Sequence, residues 1–120
     1  MREILFRGKD KFDGEWYAGS LSHDTKYGNC FIEVSVHQGI AKEVIPETVG
    51  QYTGLQDKNG TKIFEGDILK GLYSNGNAEV KMINGSWVGY AGKGWTDIGY
   101  VVERVEVIGN IHDNLERLQS

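Results

Sequence analysis

The sequence predicts an all-β fold, and three observations carry that prediction. Helical periodicity is nearly absent until the last ten residues, whereas short runs of alternating apolar and polar side chains recur between turns. Glycine is dense, 17 of 120 residues against a single proline, about twice its usual share of roughly 7%. Asn-Gly occurs at Asn59-Gly60, Asn75-Gly76 and Asn84-Gly85, with Asp13-Gly14 as a further pair of the same chemistry. Such pairs tolerate positive φ at little cost and favour hairpins.

Strands are expected near residues 3–7, 15–20, 30–37, 42–45, 48–53, 62–64, 67–73, 78–83, 86–90 and 99–109. The best single strand starts at Cys30, with Cys30, Ile32, Val34 and Val36 on one face and Glu33 and Ser35 on the other. Phe31 breaks the polar face and suggests cover for a second small core. The clearest hairpin runs Glu79 to Ile83, turns at Asn84-Gly85 and returns from Ser86 to Tyr90. Trp87 is then an expected core anchor. Residues 22–29 and 93–99 read as loops. Near the C-terminus, Asp113 and Asn114 precede a Leu115/Leu118 pair at helical spacing, enough for a short C-terminal helical turn that must dock to persist. Gly66-Asp67-Ile68-Leu69, followed by a strand, a hairpin and a return strand, is the order that small SH3-like barrels use. Glycine there lets the chain turn sharply into the first strand.

The length suits one domain, since single cores typically run to roughly 100–150 residues. A hydrophobic content of 39% and a charged content of 25% are those of an ordinary globular chain. The net charge of −4 weighs against non-specific duplex binding, which draws on a cationic surplus to displace phosphate counterions. No stretch approaches the roughly 20 apolar residues that span a bilayer, and the opening residues lack a signal-peptide run. A cytoplasmic protein with no membrane partner is therefore expected. Cys30 is the only cysteine, so no internal disulfide or thiolate metal cage can form, and it reads as a small core residue.

Three blocks resemble the YopX-like family, small proteins of bacteriophages and prophages. The central one is Gln51-Tyr52-Thr53-Gly54-Leu55-Gln56-Asp57-Lys58-Asn59-Gly60-Thr61-Lys62-Ile63-Phe64-Glu65-Gly66-Asp67-Ile68-Leu69. The N-terminal Ile4-Leu5-Phe6-Arg7 resembles the family's opening strand, with Gly8-Lys9 in place of the usual Ala-Trp. The C-terminal Val107-Ile108-Gly109-Asn110-Ile111-His112-Asp113-Asn114 also fits, with His112 where an aromatic residue is common and no proline after Asn114. The resemblance implies one domain over residues 1–120, made of several coiled β-sheets including an SH3-like barrel over roughly 62–111. It further implies homo-oligomerisation, a bacterial host cytoplasm and no known catalytic activity. The signature positions it marks are Tyr52, Gly54, Asp57, Gly60, Gly66, Asp67, Gly109 and Asn110.

The central block also has a direct physical reading. Asp57-Lys58-Asn59-Gly60 has the composition of a type I turn closing on a left-handed glycine, with the Asp57 carboxylate accepting turn amides. Tyr52 and Phe64 would flank the turn on opposing strands.

Glu65 and Asp67 lie two residues apart, so in an extended chain both carboxylates project to one side and could hold a divalent cation in a small hydrolase. The competing reading is a bend in which Asp67 accepts backbone N–H groups. His23, His37 and His112 lack paired zinc spacing, and consecutive Ser22-His23-Asp24 cannot assemble a triad. The glycine-rich run from Gly92 to Gly99 fails the phosphate-loop templates. Asn59-Gly60-Thr61 and Asn84-Gly85-Ser86 match the glycosylation pattern but read better as turns. No cofactor is expected.

Trp16, Tyr17, Tyr73, Tyr90, Trp95 and Tyr100 could supply a stacking platform for single-stranded nucleic acid, or the anchors of a protein interface. Arg2, Arg7, Lys9 and Lys11 form the one basic cluster, partly neutralised by Glu3 and Asp10. The expected function is a non-catalytic accessory protein that self-associates and engages a phage or host protein, with Tyr73, Trp87 and Trp95 as candidate contact residues. Subunit pairing is one way to cover the edge strands of such a domain.

Overall fold

The structure is a computed structural model describing residues 4–35, 39–74, 76–92 and 94–118. Arg2, Glu3, Val36, His37, Asn75 and Lys93 lie outside the described residues. The chain divides into two compact units, Met1–Tyr52 and Thr53–Ser120. Every strand pairing is antiparallel, and the helical elements among the described residues are short 3-10 turns, so the all-β expectation holds.

In the first unit, strands β1 (Phe6–Lys9), β2 (Trp16–His23), β3 (Cys30–Ser35) and β4 (Ile40–Val44) form a meander. The opening strand begins at Phe6, later than the predicted 3–7. The meander curls until β4 meets the chain just after β1: Asp10 bridges Val44, Lys11 N–H donates to the Glu43 carbonyl at 2.9 Å, and Ile45 N–H to the Lys9 carbonyl at 2.9 Å. Curling encloses a small core of Cys30, Ile32 and Val44, with Phe6, Tyr17, Leu21 and Val49 packed against it. The predicted apolar face of β3 stops early, for Val34 is exposed. The register against β4 shifts between Glu33 and Ser35, and a bulge there turns Val34 out of the alternation.

Strand β5 (Gly50–Gln56) runs from the first unit into the second, where β6 (Lys62–Phe64) follows. Beyond it, β7 (Asp67–Tyr73), β8 (Gly76–Ile83), β9 (Ser86–Ala91), β10 (Gly94–Asp97) and β11 (Glu106–Asn110) make a five-stranded sheet in the order β10-β9-β8-β7-β11. Four strands meander, a 3-10 turn at Ile98–Tyr100 reverses the chain, and the fifth strand returns beside the first. That is SH3-like strand order. The sheet is not a closed barrel, since β10 and β11 do not pair among the described residues. Its core is Ile63, Leu69, Leu72, Ala78, Val80, Ile98 and Val105, with Trp87 packed against it as the expected anchor.

The Asn84-Gly85 hairpin forms as predicted, with φ of 51° and 82° at its two central residues and Ile83 opposite Ser86. Two expectations fail nearby. Residues 94–97, read as part of a loop, form β10, because pairing with β9 supplies order that the local sequence lacks. Residues 99–104, read as the start of a long strand, instead complete the 3-10 turn Ile98–Tyr100 and continue as tight turns. Asp97 causes the break by accepting the Gly99 N–H at 2.9 Å, an N-cap bond. The C-terminal turn appears as a 3-10 segment, Leu115–Leu118.

Gly60 has a φ of +82° and open space around its missing side chain, so its value is conformational alone. Gly60→Val is expected to cost about 1–2 kcal/mol, the strain of a side chain in left-handed backbone. An unchanged thermal midpoint in that variant would discredit the turn.

Candidate interaction surface

Buried Asx side chains hold the signature positions in place. Asp57 is buried, and its Oδ1 accepts the Asn59 and Thr61 N–H groups, both at 2.9 Å. Its Oδ2 reaches across to accept the Val107 N–H of β11 at 2.9 Å. Lys58 N–H also donates to the Val105 carbonyl at 3.1 Å, so the β5–β6 turn covers the outer edge of β11. Asn110 accepts the His112 and Asp113 N–H groups at 2.9 and 3.0 Å. A Cβ on Gly109 would lie 2.5 Å from the Asn114 Oδ1, which explains glycine beside that turn. Tyr52 is buried, while Gly54 is exposed with a φ of +85°.

Glu65 and Asp67 do not form the imagined extended pair. Gly66 at φ +91° turns the chain between them, Glu65 is exposed, and Asp67 is 1% exposed with its Oδ2 accepting the Phe64 N–H at 2.7 Å. The bend is the reading that fits. Among the described residues no three His, Cys, Asp or Glu side chains cluster as a metal site would require. His23, the last residue of β2, and His112, in the turn after β11, are both exposed.

The three aromatic residues singled out for contact do not share a face. Trp87 packs on the core. Tyr73 also packs on it, and its hydroxyl lies 3.2 Å from the Gly89 carbonyl and 3.0 Å from the Thr96 Oγ1, tying β7 to β9 and β10. Trp95 alone points outward, 53% exposed on β10.

Alternation along the paired strands gives Trp95 different companions. It lies opposite Tyr90, which lies opposite Glu79, making one row across β10, β9 and β8. Lys81, two residues along β8 on the same face, places its ammonium 4.7 Å from the Tyr90 ring centre and 4.0 Å from the Glu79 carboxylate. Sequence reasoning passed over Lys81, yet the Asn84-Gly85 turn fixes the register that brings it beside Tyr90. β10 is also the edge of its sheet, four residues long and hydrogen-bonded to β9.

Curled antiparallel units, one with SH3-like strand order and an aromatic row along one edge, describe a small all-β protein. The family model described as YopX protein matches residues 5–119, nearly the whole chain. The chain belongs to the YopX family. It is also similar to the crystal structure of protein EF1440 from Enterococcus faecalis, with 26% identity and a TM-score of 0.63 over 98% of this chain and 99% of that one. No curated protein is matched by the chain. No helix among the described residues is long and apolar enough to cross a membrane.

Proposed function

We propose that this protein is a non-catalytic phage or prophage accessory protein of the bacterial cytoplasm that works by contact and self-associates through the β10 edge. The observation that carries the reading is Trp95, a large aromatic residue 53% exposed on a short edge strand. An indole in that setting is the kind of side chain that dominates interfaces. The outer edge of β11 is engaged by Asp57 and Lys58, which leaves β10 as the edge of this sheet that a second subunit would cover.

Light scattering on the purified protein is expected to give a multiple of 13.4 kDa. Trp95→Ser is expected to lower that mass and shift the thermal midpoint by no more than about 2 °C, because an exposed side chain contributes little to the fold. A wild-type monomer, or a variant of unchanged mass, would end the proposal.

A second reading draws on Lys81, Tyr90 and Trp95 as a stacking row for single-stranded nucleic acid. Glu79 beside Lys81 and the net charge of −4 oppose phosphate there. Salt-dependent quenching of tryptophan fluorescence by oligothymidylate would favour this reading over the first.

A further inference from the structure

The first unit carries a separate feature, at the tip between β1 and β2. Phe12 is 79% exposed and takes no part in the core of its unit. Its loop is nevertheless tightly fixed. The buried Asp10 carboxylate accepts the Phe12 N–H at 2.7 Å and the Asp13 N–H at 2.9 Å through one oxygen. The Asp10 N–H donates to the Glu15 carbonyl at 2.8 Å, and the Gly14 N–H to the Asp10 carbonyl at 3.1 Å. The tip is therefore ordered before any partner arrives, and binding there would lose little loop entropy.

Beside Phe12 lies a cleft of about 450 Å³ lined by Asp10, Phe12, Asp13, Phe31, Ala41, Lys42 and Glu43. Two phenyl rings and a methyl group supply apolar wall. The cleft carries the rim carboxylates of Asp13 and Glu43 and the buried one of Asp10, three anions against the ammonium groups of Lys42 and of Lys11 beside Glu43. The cations nearby are already engaged: Lys42 sits 5.0 Å from the Tyr17 ring centre, and Lys11 pairs with Glu43 at 3.4 Å. The Asp13 carboxyl is held below its ordinary range by the Glu15 N–H and then by the Tyr17 hydroxyl, so it is anionic at neutral pH. The same bond pushes the Tyr17 phenol up to about 12, which keeps it a donor.

We propose that this cleft docks a cationic protein segment, one in which a large apolar side chain flanked by Arg or Lys seats against Phe12 and Phe31 while the basic groups meet Asp13 and Glu43. Charge complementarity selects that occupant, since three carboxylates stand there against two ammonium groups and an acidic segment would face like charge. The surface is distinct from the Trp95 edge and stands or falls without it.

The test uses the full-length protein and a capped Arg-Leu-Arg-Phe-Arg peptide, followed by amide chemical shifts. Saturable shifts are expected at the tip and at residues 31 and 41–43, with affinity falling about tenfold or more between 50 and 300 mM salt as the pairs are screened. Phe12→Ser, a change at an exposed site, is expected to leave the circular dichroism intact and to weaken binding at least about tenfold, the loss of a buried anchor. The matching Glu-Leu-Glu-Phe-Glu peptide should not bind. The proposal is overturned if the basic peptide gives no shifts at millimolar concentration, if the acidic peptide binds as well, if Phe12→Ser binds like the parent, or if the shifts map to β10. A change of oligomeric mass in Phe12→Ser would assign the cleft to a second copy and overturn it equally.

Discussion

Asp57→Ala is expected to destabilise the second unit by about 3 kcal/mol, because a buried charged acceptor is removed from three N–H donors at once. Those of Asn59 and Thr61 belong to its own turn, while that of Val107 lies on β11, fifty residues away in the chain. A small void forms, and the Val107 N–H has no replacement acceptor in the variant. Asp57→Asn keeps the volume and one acceptor oxygen, so a smaller loss of about 1–2 kcal/mol is expected. Urea unfolding followed by tryptophan fluorescence measures both. Equal losses for the two variants would show that side-chain volume, and not the set of accepted bonds, matters at this position.

The same carboxylate makes stability depend on pH. Burial alone would push its pKa up, but the N–H groups of Val107, Thr61 and Asn59, with the Lys58 charge, outweigh burial and bring it below the ordinary value. A folded-state pKa below the unfolded one means that the unfolded chain binds the proton more readily. The contribution is therefore complete above the unfolded value of about 4 and is lost as pH falls through the folded value. Acid titration of the parent against Asp57→Asn should show the parent losing its advantage in that window. Parallel stability curves would contradict the assignment.

Gly71→Ala is expected to be worse tolerated, with a loss above about 3 kcal/mol and little folded second unit, since two faults combine. Gly71 has a φ of +99°, and a Cβ there would sit 2.3 Å from the Arg104 carbonyl oxygen. Gly60 has the first fault without the second, so the pair separates backbone strain from collision. The opposing atom at Gly71 belongs to the main chain and cannot rotate away. The β7 register is already irregular between Leu69 and Tyr73, where the glycine permits the kink that lets Leu72 turn into the core. A Gly71→Ala variant with native circular dichroism and an unchanged midpoint would refute this.

What was legible in the sequence was local. The Asn84-Gly85 turn fixed a hairpin and its register because two adjacent residues dictate that geometry. The Asp57 turn was readable for the same reason. Its bond to Val107 was not, since nothing at position 57 announces a partner fifty residues on. β10 escaped notice because glycine opens it and Trp95 is its single large apolar side chain, so its extended form is conferred by β9. Val101, Val102 and Val105 gave the opposite error, β-branched residues suggesting a strand where Asp97 instead caps a turn. On the surface, aromatic type identified Trp95 but could not separate it from Trp87 and Tyr73. Which side of a curled sheet a ring occupies depends on where the sheet closes.

The curl of the first unit has a bearing on how that unit assembles. β1 to β4 join chain neighbours, and hairpins of that kind form on a scale of about 1–10 μs. The meeting of Asp10 with Val44 instead closes a span of more than thirty residues, and its entropy is recovered only once the intervening hairpins stand. Closure is thus the finishing stroke of the ribbon, and the rim carboxylates of the Phe12 cleft come together only when that last seam has zipped.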